Sequence, residues 1–188
     1  PGTVVEQSCR GDRQPACAEP ERNHARYGQG LISAGDGDLT ISLSQALDNQ
    51  QGTMQSSQGL NVTAAALNNT SGSLLAAGSS ASVKVQNALT NQQGKLLAKD
   101  DLLPNAGNID NGNGQMVSTS GSLTLSAGTL NNRLGSLAAQ KDVQIGAQSL
   151  ANPAGTLTSV DGAPHALLDA ATNNQHGLRH SAHTATPT

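Results

Sequence analysis

Residues Leu67 to Leu74 read LNNTSGSL, with leucine at both ends, Asn69 at the third position and Gly72 at the sixth. The same grammar returns in LTNQQGKL, Leu89 to Leu96, and in LNNRLGSL, Leu130 to Leu137. Aligned on the first apolar residue, six rows begin at Leu47, Leu67, Leu89, Ile109, Leu130 and Leu150, with steps of 20, 22, 20, 21 and 20 residues. Every third position is asparagine: Asn49, Asn69, Asn91, Asn111, Asn132 and Asn152. Every sixth position is glycine: Gly52, Gly72, Gly94, Gly114, Gly135 and Gly155. Every eighth position is apolar: Met54, Leu74, Leu96, Met116, Leu137 and Leu157. Such columns mark an internal repeat, which is read before any single residue.

Most rows then carry a second apolar pair separated by one residue: Leu60 and Val62, Val83 and Val85, Leu123 and Leu125, Val143 and Ile145. Period two is the mark of a strand with one buried face. A period near 20 residues is too short for helical repeats, which need more than about 30. Short strands joined by Gly/Asn turns at a fixed period point to an all-β parallel solenoid, one row per coil. The expectation is six to seven coils, with irregular ends, stacked about 4.8 Å apart into a rod on the order of 30 Å long. The leucine and methionine columns then point inward and stack on their equivalents. The sixth-position glycines are expected to take positive φ at a corner. The asparagines are expected to tolerate left-handed backbone and to bond along a ladder of identical amides. The row around LLPNAGN contains Pro104, which cannot donate to a ladder, so a bulge or loop is expected over Leu103 to Asn108. An earlier partial row is visible in GQGLISAGDGDLTIS, and a degenerate later one in ATNNQHG, where Asn174 and Gly177 keep the spacing.

Composition agrees with a narrow coil. The 188 residues contain no Trp, no Phe and one Tyr, Tyr27, so the core must be aliphatic. Charged residues make up 12% of the chain, about half the usual share, and the net charge is −3. Disorder usually accompanies high net charge, and nucleic-acid binding needs a basic stripe to displace counterions; neither is present. No apolar run approaches the roughly 20 residues that cross a bilayer. The chain begins at Pro1, without an initiator Met or a visible secretory signal, and is expected to be a piece of something longer.

Rows such as LDNQQGTMQSSQGLNVTAAALNNTSGSLLAAGSS resemble the hemagglutinin repeats of large two-partner-secreted exoproteins, a family that includes filamentous hemagglutinins and contact-dependent growth inhibition proteins. The resemblance covers about residues 30 to 162. It implies a right-handed parallel β-helix in an extended extracellular stalk. It also implies export through an outer-membrane two-partner-secretion transporter, and a host or bacterial cell-surface receptor as partner. Residues 1–29 are read as an irregular N-terminal extension, 30–162 as the β-helix, and 163–188 as a degenerate repeat and flexible tail.

The remaining chemistry is sparse. CRGDRQPAC places Arg10, Gly11 and Asp12, a tripeptide many integrins recognise, between Cys9 and Cys17, which an oxidising exterior would allow to pair. This adhesion loop is the second functional reading. Against it, eight of the 23 charged residues fall in the first 26 positions, an abrupt departure from the repeat that suits a terminal extension or out-of-frame sequence. GDGDL, Gly35 to Leu39, resembles calcium-binding nonapeptide repeats, but those need tandem copies, so a polar turn is expected. His176, His180 and His183 have no acidic or thiolate neighbour, and no metal or other cofactor is expected. The sequons at Asn61, Asn68 and Asn69 arise easily in Asn/Thr-rich sequence. Some parallel β-helices cleave polysaccharides, which requires gathered carboxylates. Only Asp100 and Asp101, beside the irregular row, are candidates, and the chain is not expected to be an enzyme.

Overall fold

The computed structural model describes residues 24–26, 29–162, 164–168, 172–174 and 177–181. Its described residues are strands and turns, with no helix. The first coil holds β1 (His24–Arg26), β2 (Leu31–Ala34) and β3 (Leu39–Ser42). The second holds β4 (Ala46–Asp48), β5 (Thr53–Ser56) and β6 (Leu60–Ala64), and the third holds β7 (Ala66–Asn68), β8 (Ser73–Ala76) and β9 (Ala81–Val85). The fourth opens with β10 (Ala88–Thr90) and β11 (Lys95–Ala98). From there the last strand of each coil runs straight into the first strand of the next. These long strands are β12 (Leu102–Asp110), β14 (Leu123–Asn131) and β16 (Val143–Ala151), alternating with β13 (Gln115–Ser118), β15 (Ser136–Ala139) and β17 (Thr156–Ser159). Beyond residue 162, β18 (Pro164–Leu168), β19 (Thr172–Asn173) and β20 (Leu178–Ser181) continue the stack.

All strand pairing is parallel, between each strand and its counterpart one coil away, in a 12-stranded and an 8-stranded sheet. The register repeats the period of the sequence: Thr53 pairs with Ser73, Ser73 with Lys95, Lys95 with Gln115, Gln115 with Ser136 and Ser136 with Thr156. This is the expected β-solenoid, about six turns at about 21 residues per turn.

The first apolar positions stack as Leu47, Leu67, Leu89, Ile109, Leu130 and Leu150, and the eighth positions as Met54, Leu74, Leu96, Met116, Leu137 and Leu157, all essentially inaccessible to solvent. Leu39, Leu60, Ala81, Leu102, Leu123 and Val143 form a third buried column from the remaining side. Each inward leucine contributes roughly 1.5–3 kcal/mol by leaving water.

The expected bulge at Leu103 to Asn108 does not form. Pro104 lies inside the nine-residue β12, buried, and pairs with Val83 of β9. Its missing N–H leaves a smaller mark. Registered pairing with β14 holds at Leu102, lapses at the next two residues and resumes at Asn105. A proline fits because its ring takes the inward position that Val83 and Leu125 hold in neighbouring coils, and the ladders on either side carry the backbone past one absent donor.

Candidate functional site: the asparagine ladder and the lateral faces

The six asparagines are fully buried and joined end to end. Asn49 Nδ2 donates to Asn69 Oδ1 at 2.7 Å, Asn69 to Asn91 at 2.7 Å and Asn91 to Asn111 at 2.7 Å. Asn111 donates to Asn132 at 2.7 Å, Asn132 to Asn152 at 2.6 Å, and Asn152 to Asn174 at 2.6 Å. The degenerate last row therefore keeps its rung. Each amide also donates to the carbonyl of the glycine three residues on, at 3.2–3.3 Å in all rows including Asn174 to Gly177. The asparagine backbone carbonyl in turn accepts the glycine N–H, at 3.0 Å in Asn69–Gly72 and Asn111–Gly114. Buried amides need such partners, because an unsatisfied one costs about 1–3 kcal/mol.

The role expected for the glycines is corrected by the backbone. Positive φ falls one residue earlier, on Gln51, Ser71, Gln93, Asn113, Leu134 and Ala154, at 54–58°. Those side chains are exposed at the corner, where a Cβ meets only solvent. Glycine is required at the sixth position for space. A Cβ on Gly72 would overlap the backbone carbonyl oxygen of Asn49 in the preceding coil and Oδ1 of Asn69 in its own. Gly94, Gly114, Gly135 and Gly155 meet the same pair of oxygens, each from its own two rows. The asparagines likewise take no left-handed backbone; among non-glycine residues that conformation belongs to the corner position, here and at Gln29.

A second bonding column escapes a reading of the apolar pattern alone. Asp38 Oδ1 accepts the Gly59 N–H at 2.7 Å, and Asp101 Oδ1 accepts the Ser122 N–H at 2.9 Å. Ser80 Oγ accepts from Asp101 N at 3.2 Å, and Ser122 Oγ from Asp142 N at 3.4 Å. These polar side chains precede the third strand of each coil and tie its turn to the next. The signal was in the sequence as Asp38, Ser80, Asp101, Ser122 and Asp142 at one- or two-coil separations.

This placement bears on the residues singled out earlier. Asp101 serves as a turn clamp, and Asp100 contributes its backbone carbonyl to the Ser118 hydroxyl. Asp38 of the GDGDL stretch is likewise engaged as a clamp. Asp110 accepts from Gly112 N, Asn131 Nδ2 and Gln92 Nε2. No group of three or more His, Cys, Asp or Glu suited to a metal ion occurs among the described residues. Cys9, Arg10, Gly11, Asp12, Cys17, Tyr27, His176 and His183 lie outside the described residues, and His180 falls within β20.

Outward-facing positions of the 8-stranded sheet form a flat lateral face. In register along the stack stand Gln55, Leu75, Leu97, Val117, Ala138 and Thr158, an aliphatic stripe between polar ends. The parallel outward column reads Thr53, Ser73, Lys95, Gln115, Ser136 and Thr156, with one charge. A shallow groove of about 250 Å³ lies on another side, over Ala46, Ala66 and Ala88, edged by Asp48, Asn68 and Thr90. No described helix is long and apolar enough to cross a membrane.

Comparison with curated proteins and with solved structures gives no match. Comparison with protein families gives one family described as the haemagglutinin repeat, matched twice, over residues 32–93 and 79–163. The two matches together span the coils whose ladder and columns are described above, and the chain belongs to the haemagglutinin-repeat family.

Proposed function

We propose that this chain is a stalk segment of a large secreted bacterial surface exoprotein, of the filamentous-hemagglutinin or contact-dependent toxin-delivery type. Its work is mechanical. It holds a distal binding or toxic domain away from the cell and presents a long lateral surface to a host or bacterial receptor. The observation that carries this reading is the recurrence itself. Each coil spends its asparagine, its glycine and its inward aliphatics on binding the next coil, and the carboxylates that the structure accounts for clamp turns. Solenoids of this kind lengthen by adding coils, with no new core to invent. Non-enzymatic action follows from the same distribution. Secretion and an outer-membrane two-partner-secretion transporter as export partner are the family's route, supported by the repeat match.

The test is export. The chain is placed between a two-partner secretion domain and a C-terminal reporter and expressed with the matching outer-membrane transporter. The reporter should become accessible to external protease, and a second tandem copy should preserve that exposure. Retention in the periplasm with the transporter present would count against the proposal. The adhesion-loop reading rests on the CRGDRQPAC sequence and has its own check. An Asp12→Ala chain that binds integrin-bearing cells as well as the parent removes it.

A further inference from the structure

The asparagine ladder has a direction. Each Nδ2 donates towards the C-terminus, so every asparagine from Asn69 to Asn152 both gives and receives a rung. Asn49 only gives. Its Oδ1 is buried and has no hydrogen-bond partner, the one such side-chain atom among the described residues. The register shows what is missing. Ala25 pairs with Leu47 and Arg26 with Asp48, so the next residue in sequence, Tyr27, holds the position where the ladder needs an amide donor. The rest of that row keeps the grammar: Gln29 has the positive φ of the corner, Gly30 follows, and Ile32 pairs with Met54.

The apolar columns weaken at the same place. Ile32, Ala34 and Ile41 are half-buried, whereas Met54, Ser56 and Val62, their partners one coil on, are almost completely enclosed. Stability in a stacked array is a sum over nearest-neighbour interfaces, so the interface lacking its rung is the weakest. We infer that the coil from β1 to β3 is a built-in joint, opening and closing as a unit while the ladder-tied coils from Leu47 onward stay stacked. Opening uncovers the edges of β5 and β6, the backbone groups to which a further parallel strand would pair.

Amide exchange on the full chain tests this. Leu39 N and Leu43 N bond to Gly59 and Thr63 of the next coil, as Leu102 N and Leu123 N bond to Ser122 and Asp142. The first pair should exchange at least about tenfold faster than the second, the scale set by one unsatisfied buried acceptor. Tyr27→Asn supplies the missing donor. It should slow Leu39 and Leu43 about fivefold or more and leave Leu102 and Leu123 unchanged. Simple fraying of a terminal coil predicts the fast exchange without that response.

A second pair of variants keeps the test independent of how Tyr27→Asn folds. Asn91→Ala deprives two neighbours of a rung, whereas Asn49→Ala deprives one and removes the orphan acceptor. The denaturation midpoint should fall clearly further for Asn91→Ala. Equal losses for the two alanine variants, or unchanged exchange at Leu39 and Leu43 in a folded Tyr27→Asn chain, overturn the inference.

Discussion

At the corner of each coil two adjacent residues divide the labour. The fifth position bends into the left-handed region and points to solvent; the sixth keeps ordinary φ and lies against the asparagine of the coil before. Substitutions should therefore have opposite signs one residue apart. Leu134 carries positive φ while 53% exposed, so Leu134→Gly relieves backbone strain with little packing lost and should stabilise by up to about 1 kcal/mol. Gly135→Ala forces a Cβ onto the Asn111 carbonyl and should destabilise by about 3 kcal/mol or more. Thermal and urea unfolding of the two variants decide it; a stabilised Gly135→Ala would refute the packing account. The asparagine and glycine columns were legible from the sequence, and so was the ladder. The reason for the glycine was not, because conformational freedom and close approach leave the same residue in a sequence. Only the distance between coils separates them.

At the scale of the strand, the repeat dictated period-two patterning, and the structure turned it into registered parallel pairs. Pro104 shows where local rules yield to the stack. Taken alone it ends a strand; held between β9 and β14 it stays inside one. Pro104→Val should restore a donor in an inward position already occupied by valine one coil away, and raise stability by about 0.5–1.5 kcal/mol. Loss of stability in that variant would mean that the proline ring contributes more than the absent bond removes. The inward aliphatics carry more weight. Leu96 is buried between Leu74 and Met116, so Leu96→Ala should cost about 2–5 kcal/mol, read from the urea midpoint.

For the whole molecule, the governing fact is that each coil touches its neighbours alone, so integrity depends on phase and not on length. Deleting residues 89–108, one complete 20-residue row, brings Ile109 into the place of Leu89 and should leave a folded solenoid about 4.8 Å shorter. Deleting residues 89–98, half a row, puts inward positions outward and should abolish cooperative unfolding. Circular dichroism and small-angle scattering distinguish the two outcomes. A half-row deletion that folds like the parent would remove phase as the organising rule.

The sequence by itself determined the period, the inward columns and the asparagine ladder, because stacked coils require like residues at like positions and so write their contacts as repeats. Single, unrepeated features were decided only by tertiary structure: the straight passage of Pro104, the turn clamps of Asp38 and Asp101, the enclosure of Gly72 and its equivalents, and the unmatched Oδ1 of Asn49. Each depends on what lies one coil above or below. That neighbour is some 20 residues distant in sequence but one strand spacing away in space.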